Sequence, residues 1–397
     1  MAIQTGIEAT ETEFGRLLRR HRERVGLTQR ELADLSTISV RAIRDLEQGR
    51  ARKPRPDTVR LIADGLRLGG QARADLAAAV DHGRLPRGDY DAALAPAPVA
   101  AEALVGREAE VAALVHELLE RARPVRIVGL PGVGKSRLAQ AVAARLHERR
   151  MPVLWATAPG HAPAYDGALR DDRLAALVTD AAAELCAGHG PAPATADLVD
   201  VIGDRPTVLV LDGAGDAERV RRLTRDCPGL RVIVTATEPG DDAERTFVLA
   251  PLDAAASAEL FRASAGLPLA DEPVAEVCGL LDGLPGALAA AASWLAVFDV
   301  DTLVATVRHD PGALLDDLAG RAPGRERLAA ALAALPAPTR DLLRRLDGDF
   351  TLADLAAATG AALPEAGRAL RSMLVRGVVG QRAPGCFRVL GVVAALL

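Results

Sequence analysis

The chain has 397 residues, too many for one ordinary hydrophobic core, and its 49% hydrophobic and 25% charged residues are typical of a globular multidomain protein. Its four cysteines lie far apart in sequence and form no C-x-x-C pair, which argues against a zinc site or a disulfide framework and fits a cytoplasmic protein. The longest apolar stretch, residues 287–300, is too short to span a bilayer, so we expect a core helix there and no membrane partner. The net charge of −5 is unevenly distributed, because residues 14–68 carry fourteen Arg or Lys against seven Asp or Glu.

This basic N-terminal segment contains signals for two short consecutive helices. Thr28 is a helix-capping residue and Glu31 stands three positions later, where a capping box requires it, so a helix is predicted over 29–35. Ser39 is placed to cap the next helix, and Gly49 to end it. A basic segment on an acidic body is typical of nucleic-acid binding.

The segment also resembles the helix-turn-helix of the phage-repressor/Cro family. The residues that carry the resemblance are 14–22, 26–29, 31–33, 38–43 and 46–49. In that family the second of the two helices enters the major groove of operator DNA. Carried over by position, the resemblance implies base contacts from Ser39, Val40, Arg41 and Arg44 and a phosphate contact from Gln29, and the charge of Arg50, Arg52 and Lys53 suits further phosphates. The alternative is a helical domain that docks a protein and exposes its arginines to solvent.

A linker rich in proline, glycine and alanine over 82–101 leads to a glycine-rich motif. The eight residues Gly129-Leu130-Pro131-Gly132-Val133-Gly134-Lys135-Ser136 fit the phosphate-loop pattern G-x-x-x-x-G-K-[ST]. Lys135 is one of only two lysines among forty-eight basic residues, and the broader guanidinium of arginine would not serve there. An apolar run over 125–128 precedes the loop and an alanine-rich helical pattern over 137–146 follows it, so backbone N–H groups are directed at an anion. We predict a nucleoside triphosphate or diphosphate as the ligand; the alternative is a glycine-rich turn without one.

Further motifs surround the loop in a definite order. Residues 104–108, Leu-Val-Gly-Arg-Glu, precede the first strand. A second buried strand is predicted over 207–212; it ends in Asp212, a carboxylate suited to hold Mg²⁺ or its water. A third strand is predicted over 231–237, and residues 283–288, Gly-Leu-Pro-Gly-Ala-Leu, open an alanine-rich helix.

Taken in this order, the motifs resemble the NB-ARC family of STAND signal-transduction ATPases from residue 103 to the C-terminus. Bacterial members often combine a repressor-type head, an NB-ARC core and a helical-repeat sensor, and they regulate transcription. The resemblance implies ATP or ADP and Mg²⁺ as cofactors. It places the adenine near Val105, Arg107 and Pro285, the phosphates near Gly129, Gly132, Val133, Gly134, Lys135, Ser136 and Arg137, and Mg²⁺ between Ser136 and Asp212.

The expected fold class is therefore multidomain, with an all-α head, an α/β nucleotide-binding domain built on a parallel sheet, a helical subdomain and a winged helix. The predicted boundaries are the helix-turn-helix domain 14–81, the linker 82–101, the P-loop domain 102–250, the helical subdomain 251–323 and the winged-helix subdomain 324–397. Near the C-terminus, helical patterns are followed by short β-like segments, which is typical of the family's winged helix. A second DNA-binding role for this wing is an alternative.

Three positions depart from the family pattern. Gly213 follows Asp212 where relatives commonly carry a second acid that orients the attacking water. Thr237 ends the third strand where relatives commonly carry an arginine that senses the terminal phosphate. Residues 389–391, Val-Leu-Gly, replace a Met-His-Asp motif that touches ADP. We therefore expect tight nucleotide binding with slow or absent hydrolysis, and Asp212 is the one catalytic candidate.

The segment 392–397 is entirely apolar, and an apolar end of this kind, where exposed, would favour docking to a partner. No helical-repeat sensor follows it, so the sensor is either a separate protein or missing from this form.

These observations predict a nucleotide-gated transcriptional regulator that binds operator DNA through its head and works as a homo-oligomer. The first alternative is an oligomerising signalling ATPase whose head docks a protein partner. The second is a plain repressor with a vestigial nucleotide fold.

Overall fold

The computed structural model describes residues 13–51, 54–70, 72–73, 76–77, 104–121, 123–158, 172–187, 193–202, 205–213, 215–240, 244–319 and 324–397. The linker predicted over 82–101 and two of the predicted DNA-binding residues, Arg52 and Lys53, lie outside the described residues.

The N-terminal region is a cluster of short helices. They are α1 (Glu13–Arg24), α2 (Gln29–Ser36), α3 (Val40–Glu47) and α4 (Pro56–Gly65). The predicted capping box is confirmed, because the Thr28 hydroxyl accepts from the N–H of Glu31 and the Glu31 carboxylate accepts from the N–H of Thr28. Ser39 caps α3 as predicted, and Gly49 ends it with a φ of 66°. Buried side chains from all four helices form one core, including Leu18, Leu32, Ile43 and Ile62.

A five-stranded parallel sheet forms the next region, which confirms the predicted parallel sheet and adds two strands to the three that were predicted. Its strands are β1 (Val125–Val128), β2 (Val153–Thr157), β3 (Thr207–Asp212), β4 (Leu230–Ala236) and β5 (Arg245–Val248), in the spatial order β2-β3-β4-β1-β5. The helices of this region are α5 (Glu108–Glu120), α6 (Lys135–Glu148), α7 (Asp172–Ala187), α8 (Pro193–Ile202) and α9 (Ala217–Asp226). Every residue of β1 and β3 is buried. The centre of β3 is a continuous apolar run, as expected of a strand covered on both faces, whereas β1 contains Arg126, whose buried guanidinium is paired with the Glu244 carboxylate.

A helical region follows the sheet. It contains α10 (Ala254–Ala265), α11 (Asp271–Leu280), α12 (Pro285–Ser293) and α13 (Val300–His309). The prediction of one core helix over 287–300 is wrong in its second half. The helix ends at Ser293, a 3₁₀ turn covers Trp294–Ala296, and the carboxylate of Asp299 accepts from the N–H of Thr302, 2.7 Å away, to begin α13. A capping side chain thus divides the stretch, and Val297 is 63% exposed.

The C-terminal region combines helices with a small antiparallel sheet, the arrangement expected of a winged helix. Its helices are α14 (Gly324–Ala333), α15 (Ala337–Arg345), α16 (Leu352–Thr359), α17 (Leu363–Val375) and α18 (Gly391–Ala394). Its strands are β6 (Asp349–Phe350), β7 (Val379–Ala383) and β8 (Cys386–Val389), in the order β6-β8-β7. Within the apolar segment 392–397, Val392 and Val393 are fully buried in the main core, whereas Ala394 and Ala395 are exposed. Among the described residues, no helix has the length and hydropathy needed to cross a bilayer.

Candidate nucleotide-binding site

The phosphate loop joins β1 to α6 and depends on its glycines. Gly129, Gly132 and Gly134 have φ values of 153°, 83° and 99°, a backbone region that L side chains rarely adopt. At Gly129 a Cβ atom would also lie only 2.8 Å from the carbonyl oxygen of Leu249. Gly134 is the residue before α6, so the unpaired N–H groups of the first turn open toward the loop. Val133 lies within the loop and is 1% exposed, so its side chain anchors the loop to the core.

Lys135 folds back over the loop. Its Nζ donates to the carbonyl oxygens of Gly129 and Leu130, each 2.9 Å away. Burial lowers the pKa of Lys135 to about 8; the charge of Asp212 raises it and that of Arg327 on α14 lowers it. The ammonium is therefore held where a phosphate oxygen would replace two carbonyl partners.

Asp212 ends β3 and is 1% exposed. Its Oδ1 accepts from the Ser136 hydroxyl and from the Thr235 hydroxyl, each across 2.6 Å, and Thr235 in turn accepts from the N–H of Gly213 at 2.9 Å. Parallel pairing sets Thr235 directly opposite Asp212 in β4. The structure thus brings together two residues predicted to be near Mg²⁺. Hydroxyl and carboxylate oxygens are ligands that this ion prefers, so the donor set fits it.

Thr235 was not among the predicted site residues. Its signal in sequence is a polar side chain in an otherwise apolar strand.

Three residues, Val105, Arg107 and Pro285, are predicted to lie near the adenine. Arg107 is buried; its guanidinium donates to the Glu110 carboxylate at 2.9 Å and to the carbonyl oxygen of Ala250 at 2.6 Å. Arg107 therefore joins the start of α5 to the end of β5. Val105 and Pro285 are half-buried.

Two other regions of the chain contact the phosphate loop. The N–H of Gly286, in the first turn of α12, donates to the carbonyl oxygen of Gly132 across 2.8 Å. A Cβ atom placed on Gly377, in the turn between α17 and β7, would lie 3.2 Å from the backbone nitrogen of Leu130. The loop is thus covered from the helical region and from the C-terminal region.

The positions that depart from the family pattern, namely Gly213, Thr237 and residues 389–391, lie in different surroundings. Thr237 follows β4 and is exposed, and Gly213 shares with it a cavity of about 430 Å³ that is also lined by Glu238. Val389 and Leu390 are buried.

Beside the Val-Leu-Gly segment lies Asp282, whose side chain is 5% exposed and which sequence reasoning missed. Its carboxylate accepts from the N–H of Val392 at 3.3 Å. Burial raises the pKa of Asp282 to about 6, although this hydrogen bond and the charge of Arg382 oppose the shift.

The helix-turn-helix presents its arginines to solvent. The side chain of Arg41 is 91% exposed, with only a 3.7 Å contact to Asp45, and Arg44 is exposed as well. Arg50 is 62% exposed. Val40 is half-buried against the core, so its surface for base contacts is small.

The side chain of Gln29, predicted to contact phosphate, has an internal partner. Its Nε2 donates 2.7 Å to the carboxylate of Glu47, which is 4% exposed and also forms a bidentate pair with Arg22. This network fixes α1, α2 and α3 together. Glu47 is among the residues that carry the helix-turn-helix resemblance, but its pairing with Gln29 and Arg22 was not predicted.

Comparison with known families matches two segments of the chain. Residues 13–76 match the family described as a helix-turn-helix domain, and residues 103–379 match the AAA ATPase domain. The chain is 32% identical over 280 residues to the uncharacterized proteins Rv0894 of Mycobacterium tuberculosis and Mb0918 of Mycobacterium bovis, a stretch that covers 65% of this chain and 68% of each relative.

Among solved structures, similarity is found to the Walker-type ATPase PABY2304 of Pyrococcus abyssi, with a TM-score of 0.42 and 16% identity, over 74% of this chain and 95% of that one. The Hsp104–ADP complex of S. cerevisiae gives a TM-score of 0.35 and 16% identity, over 70% and 51% of the two chains.

Proposed function

Since the chain belongs to the AAA ATPase domain family, we propose that it is a nucleotide-gated transcriptional regulator, in which ATP or ADP at the phosphate loop controls operator binding by the N-terminal helix-turn-helix. The observation that carries the proposal is the hydrogen bond from Gly286 to Gly132, because it joins the covering helix to the loop that nucleotide would occupy. Nucleotide bound at the loop can therefore change how α12 packs against the loop.

Nucleotide binding rests on the loop and its two partners. Lys135 exchanges its carbonyl partners for phosphate oxygens, and the N–H groups at the start of α6 hold the same phosphates. Ser136 and Asp212 would hold Mg²⁺, which would neutralise phosphate charge. Val105, Arg107 and Pro285 shape the adenine side, and Arg137 at the start of α6 is exposed near the phosphates.

Hydrolysis is expected to be slow. Gly213 offers no carboxylate to orient water beside Asp212, and Thr237 carries no charge at the end of β4. A nucleotide switch does not require fast hydrolysis. It requires only that the nucleotide bind two conformations of the chain with different affinities. Nucleotide at about a hundred times its Kd biases the preferred state by about 2.7 kcal/mol.

DNA binding rests on the exposed face of α3. Arg41 and Arg44 are positioned for base edges and Arg50 for phosphate, with Ser39 at the helix N-terminus. In more detail, we propose a bacterial NB-ARC regulator that works as a homo-oligomer in the cytoplasm.

The first experiment identifies what the intact chain carries. The purified protein is denatured, and released nucleotide is identified and counted by ion-exchange chromatography. Near-stoichiometric ADP or ATP supports the proposal. A protein that releases none and takes up no added ATP would reduce the core to a scaffold behind an ordinary repressor.

The second experiment tests the coupling. Lys135→Ala is expected to abolish nucleotide binding and to change affinity for DNA, with Lys135→Arg as the charge-matched variant. Unchanged DNA affinity would contradict gating. If the wild-type chain bound DNA without a steep loss of affinity in salt, the head would instead be a protein-docking module.

A further inference from the structure

Arg376 and Glu238 form an ion pair between the C-terminal region and the end of the parallel sheet. Arg376 follows α17 and is 22% exposed, and its Nη1 lies 2.6 Å from Oε1 of Glu238. Glu238 stands two residues after β4 and is 57% exposed. The pair links positions 138 residues apart.

The position of β4 sets this pair beside the phosphate loop. β4 lies between β1 and β3 in the sheet, with Ala236 opposite Val128 and Thr235 opposite Asp212. Residues that follow β4 therefore lie between the start of the phosphate loop and the carboxylate expected to hold Mg²⁺.

Gly377, the residue after Arg376, holds Arg376 close to the phosphate loop. A Cβ atom on Gly377 would lie 3.2 Å from the backbone nitrogen of Leu130 and 3.7 Å from Cα of Gly129. The φ of Gly377 is 73°, so a glycine is required there by conformation as well as by the close approach. The turn that carries Arg376 is thus seated on the loop.

The Arg376 guanidinium could bind a phosphate in the same way as it binds the Glu238 carboxylate. A guanidinium binds carboxylates and phosphate oxygens with the same planar fork, so a partly exposed carboxylate is a partner that a phosphate can replace. Thr237 leaves the end of β4 without a positive charge of its own. Arg376 brings one to this place from another part of the chain.

We propose that Arg376 binds the terminal phosphate of a nucleoside triphosphate and exchanges Glu238 for it, so that the C-terminal region distinguishes triphosphate from diphosphate. The inference rests on the proposed function, since it assigns a reader to the same nucleotide site. Glu238 is then a competitor that holds the guanidinium when the terminal phosphate is absent.

A simple latch between the two regions makes a different prediction. If the pair only fastened the C-terminal region to the sheet, Arg376→Ala and Glu238→Gln would change nucleotide affinity in the same direction. If Arg376 reads the terminal phosphate, the two substitutions act in opposite directions, because one removes the ligand and the other removes its competitor.

The test measures Kd for ADP and for the non-hydrolysable triphosphate adenylyl imidodiphosphate by calorimetry on the full chain with Mg²⁺. Arg376→Ala is expected to weaken triphosphate binding about tenfold and to leave ADP within about twofold. Glu238→Gln is expected to strengthen triphosphate binding, and Arg376→Lys to restore part of it. Arg371→Ala is the matched control, because Arg371 is an exposed arginine on α17, the helix that Arg376 follows.

Each outcome has a separate meaning. Equal loss of both nucleotides in Arg376→Ala, or a shift of Glu238→Gln in the same direction, overturns the inference and leaves the proposed function standing. A wild-type chain that binds neither nucleotide overturns the proposed function itself. Melting temperatures of the variants establish that they are folded, and Arg376→Lys provides the answer if Arg376→Ala is not.

Discussion

The N–H of Gly286 donates to the carbonyl oxygen of Gly132, so α12 is hydrogen-bonded to the phosphate loop itself. The two backbones approach so closely that a Cβ on Gly286 would lie 2.9 Å from Cα of Gly132 and 3.1 Å from its oxygen. Real Cβ atoms almost never come this close to backbone. The need for glycine at position 286 is therefore one of space.

Gly286→Ala is expected to push α12 off the loop and to speed nucleotide release by about tenfold, equivalent to about 1.4 kcal/mol. Release of a fluorescent ADP analogue, followed by stopped flow, measures the effect. Gly279→Ala is the matched control, because a Cβ at Gly279 would meet no atom within 4 Å. An unchanged release rate in Gly286→Ala would show that this contact does not retain nucleotide.

Nucleotide affinity is expected to fall as the pH rises above about 8, the pKa to which burial lowers Lys135. Above that pH the amine is neutral, so binding of phosphate requires it to take up a proton, and affinity decreases by up to about tenfold per pH unit. Calorimetry at pH 8.5 in two buffers of different ionisation enthalpy detects that proton directly. Constant affinity from pH 7.5 to 9.5 would contradict the assignment of Lys135.

Thr235→Val is expected to weaken Mg²⁺-dependent nucleotide binding. The change keeps the shape of the side chain but removes a hydrogen bond to Asp212 and an acceptor for Gly213, which costs about 1–3 kcal/mol. Nucleotide titrations with Mg²⁺ and with EDTA measure the effect. Thr224→Val serves as the control, because the Thr224 hydroxyl bonds only to carbonyls of its own helix. Equal effects of the two substitutions would rule out a specific role for Thr235.

Asp282→Asn is expected to raise the melting temperature at pH 7.5 and to have little effect at pH 4. The folded pKa of about 6 lies above the ordinary value of 3.8, so the folded chain holds more protons between these values and loses stability as the pH rises through them. The rise of the pKa from 3.8 to about 6 corresponds to a loss of at most about 3 kcal/mol in the free energy of unfolding at high pH. Asparagine keeps an acceptor for the N–H of Val392. The exposed Asp347, changed to Asn, should show no such dependence on pH.

Arg41→Ala and Arg44→Ala are each expected to weaken binding to a selected site by about 1–3 kcal/mol and to reduce discrimination against random DNA. Fluorescence anisotropy with the best site from a random pool and with random DNA measures both effects. Arg19→Ala, on α1 and paired with Glu23, is the control. Equal losses on both DNAs would assign the two arginines to phosphate rather than to bases.

Local patterns predicted much of this structure. The capping box at Thr28, the strand that ends in Asp212 and the loop before Lys135 depend on residues near one another in sequence, and all three are present. β2 and β5 were missed. β5 is a four-residue strand at the edge of the sheet and none of its residues is buried, so it lacks the apolar pattern of a central strand.

Long-range contacts account for the rest. Thr235 acquires its place only through its register with Asp212. Asp282 and Arg376 acquire their surroundings only when the C-terminal region packs on the core. No spacing in the sequence encodes these contacts, because each joins elements that are distant along the chain.

Asp282 and Gly286 stand at the two ends of one short peptide. At one end the carboxylate holds the backbone of α18, and at the other the N–H holds the phosphate loop. Four peptide units, roughly 15 Å of chain at full extension, separate the two attachments. The C-terminal helix α18 and the phosphate loop are thus hydrogen-bonded to the same short segment, 282–286. A displacement of either one is therefore expected to displace the other.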